Sequence, residues 1–193
     1  MSNKVAALIF SALIGAGAFG LPARTLAVDP VTHWVAQSGD PDGTGTSCDD
    51  PGYVGSTEEI VIEAIEAAAT GDTVHICAGT YLYGHNGHPD SADGVTIEGD
   101  GPNLTVLDGR GDYYVMYFHG DDDIVIKDLG IANGYEDSWG AGLSFDGGST
   151  SFVVENVRFD GNYAENGGGG LYVWNSSGVV RDSLFHANGS EWG

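Results

Sequence analysis

Basic residues are nearly absent from this chain: six lysines and arginines stand against 28 aspartates and glutamates in 193 residues, a formal net charge of −22. A surface of that sign repels a phosphate backbone, which excludes nucleic acid as a partner. Cysteine is almost as scarce, with only Cys48 and Cys77. No histidine or further cysteine stands at a recognisable ligand spacing, so the sequence gives no zinc motif. Long apolar runs are missing too. Val5 to Phe19 falls short of the roughly 20 residues that a spanning helix needs, and the alternating ten-residue strands of a membrane barrel do not occur.

That short run has its own meaning. Lys4 precedes it, Leu21-Pro22-Ala23 breaks it, and Thr25-Leu26-Ala27 offers small residues for cleavage, so residues 1–27 read as a secretory signal, with an uncleaved anchor as the alternative. Export places the two cysteines in oxidising surroundings, where a Cys48–Cys77 disulfide is the default. The acidic balance reads first as solubility and second as carboxylates able to hold calcium.

Residues 28–81 read as an N-terminal cap. His33-Trp34-Val35-Ala36 is β-prone, and a polar loop follows to Gly55. Ser56-Thr57-Glu58-Glu59 has the form of a capping box. It opens a helix expected to run to about Ala69, with Val61, Ala64, Ile65 and Ala68 on one apolar stripe and Gly71 as a left-handed end. Asp72 to Cys77 then alternates as a strand.

Residues 82–193 carry a repeat of about 26 to 29 residues. Val115, Leu143 and Leu171 are equally spaced, as are, nearly, Ile131, Phe159 and Phe185, and Asp128, Asn156 and Asp182. A period of this size marks a solenoid, and a unit made only of short strands and Gly/Asn/Asp turns fits a parallel β-helix better than a leucine-rich repeat. Turns repeat more faithfully than strands because each coil needs the same unusual backbone, which glycine and asparagine accept, while many side chains fill the interior. Asn162 and Asn188 are expected to form a stacked turn ladder. Phe159 and Phe185 are expected to stack inside.

With these residues in hand, the chain resembles right-handed parallel β-helix proteins of the pectin-lyase-like superfamily. The resemblance rests on Ile62 to Ala68, Gly71-Asp72-Thr73-Val74 and Ala78-Gly79-Thr80-Tyr81 for the cap and first coil. The FxxN motifs at 159–162 and 185–188 and the GGxL-type motifs at 140–143 and 168–171 are similar to repeats of polymorphic outer-membrane proteins. The resemblance implies a secreted or surface-displayed, adhesin-like all-β solenoid with an N-terminal capping helix. It also implies that the coils continue beyond Gly193, which leaves the final coil open to self-association.

Two function classes follow. One is a non-catalytic surface module that binds polysaccharide or a cell-surface glycan through exposed aromatics, with Trp139 and Trp174 as the stacking residues and Tyr113, Tyr135, Tyr163 and Tyr172 nearby. The other is the N-terminal part of a calcium-dependent polysaccharide lyase or epimerase, for which Asp121, Asp122, Asp123, Arg158 and Arg181 would be the residues to examine. No catalytic residue is assigned, because no carboxylate pair is singled out and ordinary turns and ion pairs account for these side chains. Asp40 and Asp42, alternating before Gly43, are the candidate calcium ligands. The His85/His88 loop reads as a hydrated insertion.

Overall fold

A computed structural model of the chain describes residues 29–40, 43–84, 87–89, 91–147 and 151–192. The leader read over residues 1–27 lies outside them. The chain is an all-parallel β-solenoid of about four turns with one short helix near its N-terminal end.

Seven strands make the longest sheet, in stacking order Tyr53–Val54, Thr32–Ala36, Thr73–Ile76, Thr96–Gly99, Ile124–Lys127, Ser151–Glu155 and Ser177–Arg181. The next face holds Gly79–Leu82, Thr105–Asp108, Gly130–Ala132, Arg158–Asp160 and Leu184–His186. Two three-stranded faces complete the coil. One stacks Tyr135–Glu136, Tyr163–Ala164 and Gly189–Ser190; the other stacks Met116–His119, Leu143–Asp146 and Leu171–Val173. The strand read as part of the cap, Thr32–Ala36, already pairs with Thr73–Ile76 and so belongs to the stack.

Alternation within each strand sends every second side chain inward. Tyr81, Leu107, Ile131, Phe159 and Phe185 are cross-strand partners in one interior column. The Phe159 and Phe185 rings stack 4.5 Å apart, while across the interior Phe145 and Phe152 stack at 3.9 Å. On the outside of the long sheet, His75, Glu98, Lys127, Glu155 and Arg181 form a column of alternating charge. Lys127 Nζ meets Glu98 and Arg181 Nη2 meets Glu155, both at 2.6 Å, so opposite charges reinforce the register of neighbouring coils.

One repeat alignment shifts by a residue. Leu143 pairs with Met116, not with Val115. Because a one-residue slip turns every side chain to the other face, pairing with Val115 would bring Phe118 out of the interior. The observed register keeps it buried, 5.5 Å from Phe145. The step after the helix is also short, since Thr73 pairs with Thr96, a spacing of 23 residues.

Left-handed backbone recurs at equivalent corners. Asp128, Asn156 and Asp182 have φ of 56°, 50° and 52°, and Asn156 Nδ2 donates to Asp128 Oδ1 at 2.7 Å. At the next corner Asn133, Gly161 and Ala187 carry the positive φ. Asn162 and Asn188 therefore sit one residue after the strained position, not on it. Their amides turn inward to bond backbone, so the ladder rests on side-chain satisfaction and the preceding residue bears the unusual conformation.

The helix spans Glu58–Ala67, two residues short of the expected end, and buries Val61, Ile62, Ala64 and Ile65. The capping box does not form: Thr57 is the N-cap and its side chain makes no cap bond. Backbone pairing anchors the segment in the solenoid instead: Leu82 N–H donates to the Ser56 carbonyl at 2.8 Å and Thr57 bridges Leu82 in parallel. Gly71, at φ 95°, does not end the helix but turns the chain into Thr73–Ile76, its N–H bonded to Gly94 O.

Asp72 ties this cap together. Its carboxylate accepts the Val31 and Ala69 amides at 2.8 and 2.9 Å and contacts His33 Nε2 at 3.2 Å. Burial alone would push its pKa up, yet the two amides and His33 hold it below the ordinary 3.8. A depressed folded pKa contributes stability above the unfolded value that is lost as pH falls through the folded one. Melting curves should therefore fall more steeply below about pH 4 for the native chain than for Asp72→Asn, which starts lower and has less to lose. Parallel acid limbs for the two proteins would remove Asp72 from the pH response.

Candidate functional site

The face built from Met116–His119, Leu143–Asp146 and Leu171–Val173 carries the largest gathering of aromatic side chains. Inward positions are taken by Met116, Leu143 and Leu171 and by Phe118, Phe145 and Val173, each set in register. Alternation leaves Tyr117, Ser144 and Tyr172 in the outer row. Ser144 is small enough to be covered by the preceding turn, and its hydroxyl donates to Gly140 O at 3.0 Å. Gly140 needs its positive φ of 78° to make that close approach. The turn brings Trp139 beside Tyr172, with ring centroids 5.6 Å apart. Trp139 is 50 % exposed and Trp174, two residues beyond Tyr172, 62 %.

Below this turn lies a 190 Å³ pocket lined by Tyr114, Tyr117, Glu136, Ser138, Trp139 and Gly140. The Tyr114 and Tyr117 rings meet at 70° with centroids 6.4 Å apart. The ring of His88 lies 5.1 Å from Tyr117, and His88 Nδ1 donates to the Tyr117 carbonyl at 3.0 Å. The Tyr117 hydroxyl lies 3.1 Å from His119 Nδ1 and 3.5 Å from Asp146. Burial pushes the hydroxyls of Tyr114, Tyr117 and Tyr172 up, and Glu136 beside the first and Asp146 beside the others push further. Glu136 itself is raised by burial and by a hydrogen bond to Asp137, against a bond from Ser138 that lowers it.

The other residues singled out in the sequence are scattered. Cys48 and Cys77 form a disulfide. His75 lies close enough that its ring nitrogen and the two sulfurs are within 4.8 Å of one another, a cluster that the sequence spacing does not show. Both sulfurs are committed to the disulfide, and the His75 nitrogens face Glu98 and Asp100 at 2.9 and 3.0 Å. Asp42 lies outside the described residues. Asp40 contributes its carbonyl to Gly43 N–H, and the carboxylate organising this loop is Asp50, which accepts from Thr44 and Thr46.

Asp121 is buried and accepts the Ala92 amide at 2.9 Å. Asp122 accepts from the Ser151 amide at 3.3 Å, and Asp123 from the Ser151 hydroxyl at 2.7 Å. Arg158 is bonded to Asp160 and Arg181 to Glu155, so the five residues weighed for lyase chemistry serve turns and ion pairs. His85 lies outside the described residues, while His88 belongs to the aromatic face. Tyr135 and Tyr163 stack on the adjacent face at 6.3 Å, and Tyr113 faces Arg110. Tyr114, Tyr117 and Glu136 are the site residues that sequence reading missed. The alternation of Met116–His119, taken with the register of Phe118 on Phe145, is the signal that exposes Tyr117.

No protein-family model, curated protein or solved structure matches the chain. Among the described residues no helix is long and apolar enough to cross a membrane.

Proposed function

We propose that the chain is a non-catalytic, secreted or cell-surface recognition module of the pectin-lyase-like β-helix kind, which holds polysaccharide against its aromatic face. The observation that carries the reading is the packing of the turn residue Trp139 on Tyr172, above a pocket it shares with Tyr117, with Trp174 exposed two residues beyond Tyr172. Flat rings with polar edges suit the faces of pyranose rings. The disulfide fits an oxidising compartment. The motifs similar to polymorphic outer-membrane repeats fit surface display. The final strand Ser177–Arg181 has one paired edge, and Val179, Leu184 and Phe185 are exposed beside it, which supports self-association at that end.

The enzyme reading has less support, because the arginines and aspartates it would need hold turns and ion pairs. The test is retention on immobilised polysaccharides. Trp139→Ala and Trp174→Ala, singly and together, should abolish retention while leaving the melting temperature within a few degrees, since both side chains are half exposed or more. Unchanged retention by the double variant would overturn the proposal.

A further inference from the structure

The pocket beneath Trp139 has features that a sugar platform alone does not require. At 190 Å³ it is smaller than the roughly 300 to 1,000 Å³ of sites that enclose a whole drug-sized molecule, so it has room for one small head group. It is lined by Tyr114 and Tyr117, their rings at 70°, by Trp139 and by Glu136, whose charge is felt at the Tyr114 hydroxyl. The faces of aromatic rings carry negative charge density and attract cations, and a carboxylate adds a full charge.

No lysine or arginine lines the pocket, and the imidazoles beside it are His88, its ring 5.1 Å from that of Tyr117, and His119, whose Nδ1 lies 3.1 Å from the Tyr117 hydroxyl. The four lysine and arginine side chains among the described residues are engaged elsewhere: Arg110 over Tyr113, Lys127 with Glu98, Arg158 with Asp160 and Arg181 with Glu155. Burial and the neighbouring Asp137 both push the Glu136 carboxyl up. A metal cation would gain little here, because hard ions need several oxygen ligands close together and this pocket offers mostly rings.

We propose that the pocket bounded by Tyr114, Tyr117, Trp139 and Glu136 binds an organic ammonium group. The proposal rests on the aromatic face being the recognition surface, and it narrows the ligand from sugars in general to ones bearing a positive nitrogen. Two sources share that chemistry: the amine of an amino-sugar polymer, and a quaternary ammonium head group. Uronate polymers are disfavoured, since their carboxylates would meet Glu136 with no lysine or arginine between them.

Calorimetric titration of the full chain separates the cases, using glucosamine oligomers, their uncharged N-acetylated counterparts, and tetramethylammonium chloride against sodium chloride of equal ionic strength. Glucosamine oligomers should bind about tenfold more tightly than the acetylated ones, and Glu136→Gln should erase the difference. Trp139→Ala, which keeps every charge, should also weaken binding. Attraction to a merely acidic surface would survive that change and would overturn the proposal. Binding of tetramethylammonium without either oligomer supports the ammonium site, assigns the head-group source, and removes the polysaccharide reading. Equal binding of charged and acetylated oligomers, untouched by Glu136→Gln, overturns the ammonium site and leaves the polysaccharide reading standing. No binding by any probe overturns both.

Discussion

Replacing Asn162 with alanine is expected to lower unfolding free energy by about 3 to 5 kcal/mol, from one buried amide left without a partner, two further hydrogen bonds lost and lost packing. The side chain is fully buried. Its Nδ2 donates to Ile131 O at 3.0 Å and to Asn188 Oδ1 at 2.9 Å, and its Oδ1 accepts the Gly134 amide at 2.8 Å. Alanine strands the Gly134 N–H in a site that water does not reach and removes the side-chain donor to the Ile131 carbonyl. Aspartate, the closest isostere, should do nearly as badly, because an ionised carboxylate can accept from Gly134 but cannot donate to Ile131. Asn188→Ala removes a comparable bond to Phe159 O but lies in the open final coil, so it should cost about half as much. Urea unfolding midpoints give the comparison. Equal losses for Asn162 and Asn188 would show that position in the stack does not matter.

Phe159→Ala is the second large effect, expected at about 3 to 5 kcal/mol. Phe159 is fully buried between Ile131 and Phe185, so truncation opens a gap that the flanking coils cannot close without breaking their own hydrogen bonds. Phe185 occupies the same column but is 48 % exposed. Its truncation should cost well under half as much, since much of its area already faces water. Phe159→Leu, which keeps most of the volume, should lose only about 1.5 kcal/mol or less. Thermal melts of the three variants decide this. A Phe185→Ala loss equal to that of Phe159→Ala would mean that the final coil is covered in solution, as self-association at that end requires.

Some features of the site could be read from sequence and others could not. Trp139 and Trp174 stand out because large aromatics beside glycine-rich turns have no interior to enter. Tyr117 and Glu136 do not stand out: whether a residue faces outward depends on register, and the even spacing of Val115, Leu143 and Leu171 suggested a register one residue away from the observed one. The error came from treating the repeat as uniform. Coil length varies, from 41 residues between Thr32 and Thr73, where the helix is inserted, to 23 between Thr73 and Thr96 and 29 between Thr96 and Val125, because turns absorb insertions while interior packing sets the pairing. The capping box failed for a related reason. Its residues have the right local chemistry, but pairing with Leu82 draws Ser56 and Thr57 into the solenoid, and Thr57 becomes the N-cap in place of Ser56.

By itself the sequence determined the class of this protein: a stack of short parallel strands, with interior columns at the Ile131–Phe159–Phe185 spacing, a helix at the N-terminal end and a disulfide. These follow from alternation, glycine and asparagine at corners, and a repeat of about 28 residues, all of which are local or periodic properties of the chain. Tertiary structure alone decided which outward side chains become neighbours. Tyr114, Tyr117, Glu136 and Trp139 meet across two coils because the inward demand of Phe118 and Phe145 fixes the register, and the outer face follows from whatever the core requires.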